Sequence, residues 1–234
     1  MTCILALGRP AWSGLLWERT SPIDRLASRP VSPDPDFWRG KRVFVTGHTG
    51  FKGSWLTIWL RLLGADVCGF ALEPPTDPSM YEQTAAGEGI RSIIGDVRDR
   101  GAIGEALAAF EPEIVLHLAA QSIVRLSYDD PLLTLSTNVL GVANTLDALR
   151  SIPAPSAVVV ITSDKCYENR EWLWGYREDD ELGGHDPYSA SKACAEIVAR
   201  SYRLSYLAEA GVPLATTRAG NVIGGGDWTP DQLV

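Results

Sequence analysis

The sequence predicts an α/β fold in which helices cover both faces of a doubly wound parallel sheet. Two observations lead to this prediction. From Lys41 onward, short apolar runs alternate with longer stretches of helical period. In addition, a glycine-rich turn follows the first apolar run and opens the first helical stretch. Alternation of this kind is typical of parallel β-α-β units, because each crossover helix packs on the sheet between two strands.

The elements can be placed in order along the chain. The apolar runs predict six strands, at residues 42–46, 67–72, 92–94, 114–118, 157–162 and 214–218. The helical stretches predict helices at about 54–63, 102–110, 131–150 and 187–210. Asp130-Pro131 is typical of an N-cap followed by a first-turn proline, and Gly211 is typical of a helix end. Trp55 and Trp59 lie four residues apart in the first helix, and we expect both in the core.

The composition indicates a globular chain without general affinity for polyanions. With 45% hydrophobic residues in a length of 234, the chain can bury a sizeable core. Its formal net charge of -8 argues against nucleic acid and anionic membrane as partners. No apolar run reaches the ~18 residues that a membrane span requires, and the first 17 residues lack the features of a secretory signal. We therefore expect a cytoplasmic protein.

Cysteine and histidine positions predict neither a disulfide framework nor a metal site. The four cysteines have no close-paired spacing, which fits a reducing compartment. His48 and His117 have no third ligand spaced with them, so packing or hydrogen bonding is the expected role of both. No metal is expected.

The glycine-rich turn predicts a dinucleotide site. Gly47, Gly50 and Gly53 follow a strand and open a helix, where missing side chains let the backbone approach a pyrophosphate at the positive helix end. The spacing is G-x-x-G-x-x-G rather than the G-x-G-x-x-G of classical dehydrogenases, and a tight turn with no ligand is the alternative. Glu73, after the second strand, is placed to accept from a ribose 2′-hydroxyl, which favours NAD, or is a solvated charge. Asp96, after the third strand, is placed to bind an adenine amino group or to cap.

Two later motifs predict proton chemistry. If residues 188–192 are helical, Tyr188 and Lys192 share a face, and the ammonium is expected to lower the pKa of the phenol from its usual ~10. A phenolate can then take a proton from an alcohol. Such pairs are also common on exposed helix surfaces, and the glycine motif upstream is what favours the chemical role. Ser163, Asp164 and Lys165 follow the fifth strand, where ligands bind in such sheets; an exposed ion pair is the alternative.

These motifs follow one another in the order of the extended short-chain dehydrogenase/reductase family, which the chain resembles over residues 37–234. Within that family, five stretches are similar to the CDP-glucose 4,6-dehydratase branch: FWRGKRVFVTGHTGFKGSWL, HLAAQSIVR, TSDKCYEN, LGGHDPYSASKA and RAGNVIGGGDW. The Ser-Asp-Lys form discriminates among branches, since most nucleotide-sugar dehydratases carry Thr-Asp-Glu there. Lys165 therefore stands where the usual glutamate base is found.

The resemblance implies NAD as the cofactor and CDP-glucose, or a related nucleotide sugar, as the substrate. The residues that the motifs and the resemblance assign to the cofactor are Gly47, Thr49, Gly50, Phe51, Lys52, Gly53, Glu73, Asp96, Val97, Leu118, Ala119, Ala120, Gln121, Asn138, Tyr188 and Lys192. Gln121 and Asn221 are expected to contact the substrate. The resemblance also implies deoxysugar biosynthesis of the lipopolysaccharide O-antigen kind, and a homodimer through the helices at 131–150 and 188–210.

The implied reaction gives each catalytic residue a role. Tyr188 removes the proton of the sugar 4-hydroxyl while the C4 hydride passes to NAD, with Ser163 bonded to the oxygen and Lys192 holding the phenolate and the nicotinamide ribose. Asp164 then protonates the departing 6-hydroxyl after a base has taken the C5 proton, and the stored hydride returns to C6. Lys165 is either that base, neutral through burial and the charge of Lys192, or an electrostatic stabiliser of the enolate.

The domain prediction has three regions, and two alternatives to the dehydratase stay open. Residues 1–36 are predicted to be a poorly ordered extension, 37–220 an NAD-binding Rossmann domain, and 221–234 the start of a substrate lobe that is largely absent. A nucleotide-sugar 4-epimerase or reductase would use the same tyrosine and lysine. A truncated chain that binds NAD without turnover is the other alternative.

Overall fold

Six parallel strands, in the order β3-β2-β1-β4-β5-β6, form one sheet in a computed structural model that describes residues 34–229. The strands are β1 (Arg42–Thr46), β2 (Asp66–Ala71), β3 (Arg91–Ile94), β4 (Ile114–His117), β5 (Ala157–Ile161) and β6 (Leu214–Thr217). The strand order reverses between β1 and β4, which is the switch point of a doubly wound fold. The predicted Rossmann-type α/β class is confirmed.

The helices cover both faces of this sheet. They are α1 (Pro35–Trp38), α2 (Phe51–Leu62), α3 (Met80–Gln83), α4 (Arg100–Phe110), α5 (Val124–Asp129), α6 (Pro131–Leu135), α7 (Gly141–Ala148) and α8 (Pro187–Tyr202). The short helices α1, α3 and α5 were not predicted, because one turn is too short to produce a periodic signal. Of the predicted N-terminal extension, residues 1–33 lie outside the described residues, as do residues 230–234 of the predicted lobe. The division into three regions stays a prediction.

The predicted helix at 131–150 is interrupted in its middle. A π-helical turn (Ser136–Leu140) joins α6 to α7, and a 3₁₀ turn (Leu149–Ser151) ends the element. Asp130 caps α6 as predicted, because its side chain accepts from the backbone N–H of Leu133 and Pro131 follows at the first helical position. The last helix likewise ends in a π-helical turn (Arg203–Leu207), and the chain turns at Gly211 with φ of 72°. Single π-helical turns leave the spacing of apolar residues along a helix almost unchanged, so the sequence does not reveal them.

The two faces of the sheet bury separate apolar clusters. Phe44 of β1 packs on one face with Phe70 and Ile103, whereas its neighbours Val43 and Val45 pack on the other face with residues such as Leu60 of α2. This arrangement explains why the strands are continuous apolar runs, since a strand buried on both faces needs apolar side chains at every position.

The expectation that Trp55 and Trp59 lie in the core is wrong. Helix α2 turns its small and aliphatic side chains to the sheet, and the two indoles lie on its outer face, 49% and 50% exposed. A four-residue spacing places two side chains on the same helix face without indicating which face is buried. The Trp55 indole N–H instead donates to the carbonyl oxygen of Gly225 at 3.0 Å.

Candidate active site

The predicted site residues gather along the carboxyl edge of the sheet. The glycine loop follows β1, residues 118–121 follow β4, and Ser163 follows β5. The strands β1 and β4 are neighbours across the switch point, where ligands bind in doubly wound sheets. The sheet therefore brings together segments that are far apart in the sequence.

The glycine loop is packed tightly on its inner side and open on its outer side. A Cβ atom on Gly53 would lie 2.0 Å from the carbonyl oxygen of Gly47, and one on Gly47 would lie 2.8 Å from the backbone nitrogen of Ala119. Gly47 also has a φ of 76°, which side chains disfavour. A Cβ on Gly50, by contrast, would make only an ordinary contact of 3.5 Å with the Gly47 oxygen. A side chain at Gly50 would thus extend into the space that a ligand of this loop would occupy.

The start of α2 is suited to an anion. The N-cap residue Gly50 provides no side-chain hydrogen bond, and the first turn of this described helix contains no acidic residue. Lys52 adds a positive charge in the same turn, next to Phe51. An uncapped helix start with nearby cations attracts phosphate groups through its free N–H groups and dipole. These residues fit the pyrophosphate of a dinucleotide.

The segment after β4 forms the floor of the site. The hydroxyl of Thr46 accepts from the backbone N–H groups of Leu118 and Ala119, both at 3.1 Å, which fixes the segment that continues through Ala120. The amide of Gln121 is engaged internally, since it accepts from Ile123 N–H at 2.6 Å and donates to Thr134 at 2.7 Å.

Asn138 lies beneath this floor in the π-helical turn. It is 1% exposed, accepts from the N–H of Gln121 at 2.8 Å, and donates to the Gln121 carbonyl at 2.9 Å and to the Ser191 hydroxyl at 2.8 Å. All three hydrogen bonds are made within the chain. Asn138 thus ties the floor to α8, whereas direct contact with a cofactor was expected.

The residues assigned to the adenosine end lie past β2 and β3. Glu73 is exposed just after β2, and the Thr49 hydroxyl donates to the neighbouring Leu72 carbonyl at 2.8 Å. The carboxylate of Asp96 accepts from the side chain and the backbone N–H of Arg98, which holds its pKa below the ordinary value. The side chain of Val97 is buried in the core. Asp96 therefore already has a partner, and α4 is capped by Asp99 instead.

The proposed proton-transfer residues meet at the other end of the edge. Ser163, Tyr188 and Lys192 are 7%, 9% and 6% exposed, and the Ser163 side chain is close enough to the Tyr188 phenol to affect its pKa. Asp186 caps α8 by accepting from Ser189 N–H at 2.9 Å, so the helix begins where Tyr188 and Lys192 fall one turn apart. The ammonium of Lys192 lies 5.9 Å from the centre of the Tyr188 ring.

The expected direction of the Tyr188 pKa is wrong for this structure. Burial raises the pKa of the phenol above its ordinary value, the hydrogen bond with Ser163 opposes this, and the charge of Asp164 adds to it. Lys192 itself is buried, and burial together with the charge of Lys52 lowers its pKa to about 8. Spacing on a helix revealed that the two groups are close, but the cost of burying each charge could not be read from it.

Asp164 and Lys165 are exposed beside this buried group. The backbone N–H of Asp164 donates to the Ala219 carbonyl at 3.0 Å, and the Ser163 hydroxyl donates to the Asp164 carboxylate at 3.2 Å. Lys165 is exposed, so the burial expected to neutralise it is absent from this structure. Asn221 is also exposed, in the irregular segment after β6.

The histidines and cysteines have structural surroundings, as expected. His117 is hydrogen-bonded to Thr46 at 3.0 Å, and burial lowers its pKa to about 3. His48 is hydrogen-bonded to Ser92 at 2.7 Å, and burial lowers its pKa to about 4. Burial raises the pKa of the Cys166 thiol to about 11. Within residues 34–229, no cluster of potential ligands could hold a metal ion, and no helix is long and apolar enough to cross a membrane.

Sequence reasoning missed a buried ion pair next to the site. Arg218, after β6, donates to the carboxylate of Glu196 on α8 at 2.9 Å, and to the hydroxyl of Tyr167 at 2.8 Å. One signal was available, because Glu196 follows Lys192 by four residues and must lie on the same face of the helix.

Residues 44–223 match the family model described as GDP-mannose 4,6 dehydratase. The chain belongs to this family. CDP-glucose 4,6-dehydratase of Salmonella typhimurium is 55% identical over 206 residues, which cover 86% of this chain and 57% of that protein. The chain thus spans little more than half the length of this relative.

Solved structures of family members have the same fold. DesIV, a dTDP-glucose 4,6-dehydratase from Streptomyces venezuelae with NAD bound, is 27% identical with a TM-score of 0.70, over 82% of this chain and 59% of that one. UDP-glucose 4-epimerase from Brucella ovis in complex with NAD is 25% identical with a TM-score of 0.66, over 78% and 52%. The structural neighbours of this chain therefore include both dehydratases and epimerases.

Proposed function

We propose that this chain binds NAD along the carboxyl edge of the sheet and forms the catalytic half of a CDP-glucose 4,6-dehydratase. The observation that carries the proposal is the buried group of Ser163, Tyr188 and Lys192, with Asp164 beside it, at the end of β5. The 55% identity to the Salmonella enzyme supports CDP-glucose as the substrate. The product would be CDP-4-dehydro-6-deoxyglucose, and the activity would be that of a hydro-lyase.

The cofactor half of the proposal rests on the glycine loop. Gly47 and Gly53 bring the loop against the floor and the helix, and Gly50 leaves the outer side open. The uncapped start of α2 and Lys52 would hold the pyrophosphate. Glu73 would accept from the ribose 2′-hydroxyl, which favours NAD over its 2′-phosphorylated form. The chemistry that NAD supplies when bound is reversible hydride transfer with carbon.

The buried group performs the first proton transfer. Tyr188 would take the proton of the sugar 4-hydroxyl, with Ser163 hydrogen-bonded at the same oxygen. Because burial raises the pKa of the phenol, Tyr188 needs a cation beside it to act as a base at neutral pH. Lys192, one helical turn away and with a pKa of about 8, is the cation that this chain provides.

Asp164 and Lys165 serve the elimination of water. Oxidation at C4 acidifies the proton at C5, and loss of that proton and of the 6-hydroxyl forms the C5–C6 double bond. Return of the C4 hydride to C6 and of a proton to C5 would then give the 6-deoxy sugar and leave NAD oxidised. Asp164 would protonate the departing hydroxyl, and its exposed position leaves it accessible to a sugar. Lys165 is exposed, which favours an electrostatic role toward the enolate over that of a neutral base.

Product analysis tests this function against its alternatives. The protein is incubated with CDP-glucose and NAD, and the nucleotide sugar is examined by NMR. We expect a 4-keto sugar with a C6 methyl group. A 4-epimer that keeps its 6-hydroxyl would instead establish the epimerase alternative, which the similarity to the Brucella enzyme favours. Unchanged CDP-glucose with NAD bound to the protein would establish a non-catalytic NAD-binding chain.

We further propose that the protein forms a homodimer through the groove between α6 and α8. The groove is open, has a volume of about 660 Å³, and is lined mainly by apolar side chains of α6 and the π-helical turn, with Cys194 of α8, Ser136, Asp130 and Arg98 completing it. Leu132 and Leu140 in this lining are 76% and 56% exposed. A second copy fits because each copy offers both a groove and the projecting leucines that could fill it.

Light scattering tests the dimer with a matched control. Leu132→Asp should convert a dimer to a monomer at micromolar concentration, because it places a charge in an apolar contact. Leu173→Asp, at a side chain that is 98% exposed elsewhere, should leave the dimer intact. A wild-type monomer would overturn the proposal.

The free thiols of Cys68 and Cys166 fit the cytoplasmic location that we propose for the protein.

A further inference from the structure

Arg218 links two sides of the candidate active site through a buried ion pair. Its side chain is 15% exposed and that of its partner Glu196 is 5% exposed. Glu196 also accepts from the hydroxyls of Thr162 and Thr216. Burial by itself would raise the pKa of Glu196, but the hydrogen bonds from Arg218 and the threonines outweigh it and hold the pKa below its ordinary value. The carboxylate is therefore a fixed anchor between α8, β5 and β6.

The other nitrogen of the guanidinium reaches an irregular segment, residues 167–182. Arg218 Nη1 donates to the hydroxyl of Tyr167 at 2.8 Å and to the carbonyl oxygen of Glu178 at 3.0 Å. The guanidinium also lies over the ring of Tyr167, 4.8 Å from its centre. Tyr167 in turn stacks on Tyr176 at 4.8 Å. One arginine thus contacts the first residue of the 167–182 segment and, at Glu178, a point in its second half.

The 167–182 segment connects the two halves of the catalytic group. It begins directly after the turn that carries Asp164 and Lys165, and it ends shortly before the start of α8. Its two ends are paired, since Glu168 N–H donates to the Glu181 carbonyl at 2.9 Å and Gly183 N–H donates to the Cys166 carbonyl at 2.9 Å. A shift of this segment would therefore pull on the turn that carries Asp164 at one end and on the residues before α8 at the other.

Stability does not explain why such a pair is present. Burying two charges costs several kcal/mol of desolvation per ion, and well-packed apolar residues are often as stable or more so. What the pair provides is geometry, because the planar guanidinium offers five donors in a rigid fork, which a lysine cannot replace. Here the fork contacts the anchor Glu196 on one side and the 167–182 segment on the other.

We propose that Arg218, anchored on Glu196, is a positioning residue that holds the 167–182 segment and thereby keeps Asp164 and Lys165 in register with Tyr188 and Lys192. This inference rests on the proposed function for its kinetic consequence only. The structural consequence, an ordered segment, does not depend on which reaction the site performs.

The test compares Arg218→Lys with Arg170→Lys. Lysine can still pair with Glu196, but its single ammonium cannot also bond Tyr167 and the Glu178 carbonyl. Arg170 lies within the 167–182 segment, pairs with Glu181 and stacks over Trp172, but both partners of that pair are about half exposed or more, at 49% and 64%. It is the matched control, because exposed pairs contribute little.

Hydrogen exchange gives the decisive measurement. In Arg218→Lys, the amides of Glu168 and Gly183 should exchange at least tenfold faster, because one charge-assisted hydrogen bond accounts for about that factor and two are lost. The amide of Val158 in β5 should be unchanged, as should all three amides in Arg170→Lys. Equal acceleration at Val158 would assign Arg218 to global stability and overturn the proposal. Wild-type exchange at Glu168 and Gly183 would overturn it as well.

A second variant keeps the proposal testable if Arg218→Lys does not fold. Tyr167→Phe leaves the ion pair intact and removes only the hydroxyl that Arg218 contacts, so it should accelerate exchange at the same two amides; no acceleration would overturn the proposal. In the turnover assay, Arg218→Lys should lose about 10-fold to 10²-fold in kcat with little change in KM, the cost of misplaced catalytic groups. An inactive wild type would contradict the proposed function, while the exchange result would still decide the role of Arg218.

Discussion

The cofactor half and the catalytic half of the carboxyl edge are formed by different chemical groups, backbone in one and side chains in the other. At the end of β1, the site is made of backbone: three glycines, a helix start without a side-chain cap, and a floor held by the Thr46 hydroxyl. At the end of β5, it is made of side chains that are almost completely buried, among them Tyr188 and Lys192. Both halves lie on the same sheet edge, some 120 residues apart in sequence.

The difference determines what each half tolerates. A backbone site is sensitive to added volume and almost insensitive to titration, because its N–H groups carry no ionisable proton. A site of buried ionisable side chains has the opposite sensitivity, since its protonation depends on burial and on neighbouring charges. Five substitutions test this contrast, and the largest effect is expected in the catalytic half.

Tyr188→Phe should abolish turnover and leave the cofactor site intact. The substitution removes the group that we propose takes the 4-hydroxyl proton, and general acid-base catalysis contributes about 10²-fold to 10⁴-fold. Turnover should fall by at least that factor in a single-turnover assay with CDP-glucose. NAD binding, measured by calorimetry, should change little. A variant that binds NAD poorly would show that the two halves are not separable.

Asp164→Asn should block the second stage of the reaction and spare the first. In the proposed reaction, oxidation at C4 requires Tyr188 and Lys192 but not Asp164, so the 4-keto-glucose nucleotide should accumulate while water loss slows by about 10²-fold or more. Quenched reactions analysed for the keto sugar with and without its 6-hydroxyl distinguish the two stages. Dehydration at the wild-type rate would show that Asp164 has no role as an acid.

The two halves also differ in how far the sequence predicted them. The sequence predicted the glycine loop and the Tyr188-Lys192 pair because both depend on local spacing. That spacing determines where the backbone has no side chains and which side chains share a helix face. The wrong pKa direction of Tyr188 and the exposed position of Trp55 have a common cause: each depends on what packs against the residue from elsewhere in the chain. The pair between Glu196 and Arg218 also escaped prediction, because it joins two elements through a contact that neither pattern encodes.

The glycine loop offers a matched comparison between folding and binding. Gly53→Ala places a Cβ 2.0 Å from a backbone oxygen, so it should destabilise the fold by about 3 kcal/mol, the upper end of the range for overpacking. Gly50→Val should cost much less, about 1 kcal/mol, because a Cβ there meets nothing closer than 3.5 Å and the main penalty is a poorer N-cap residue. It should nevertheless reduce the NAD content of the purified protein. Unchanged NAD content in a folded Gly50→Val variant would contradict the predicted cofactor site.

The smallest expected effect is the pH dependence that Lys192 gives to stability. Its pKa is about 8 in the folded chain and 10.5 as the ordinary value, so the unfolded chain binds the extra proton between these limits. Stability must then rise with pH in this window, and below pH 8 the full cost of burying the charge remains. From pH 7.5 to 9.5 the rise should be about 2 kcal/mol.

Denaturant unfolding of the wild type and of Lys192→Met isolates the contribution of Lys192, because all other groups titrate in both proteins. Relative to the Lys192→Met variant, the wild type should gain that amount of unfolding free energy across the window. No relative gain would mean that burial does not lower the pKa of Lys192.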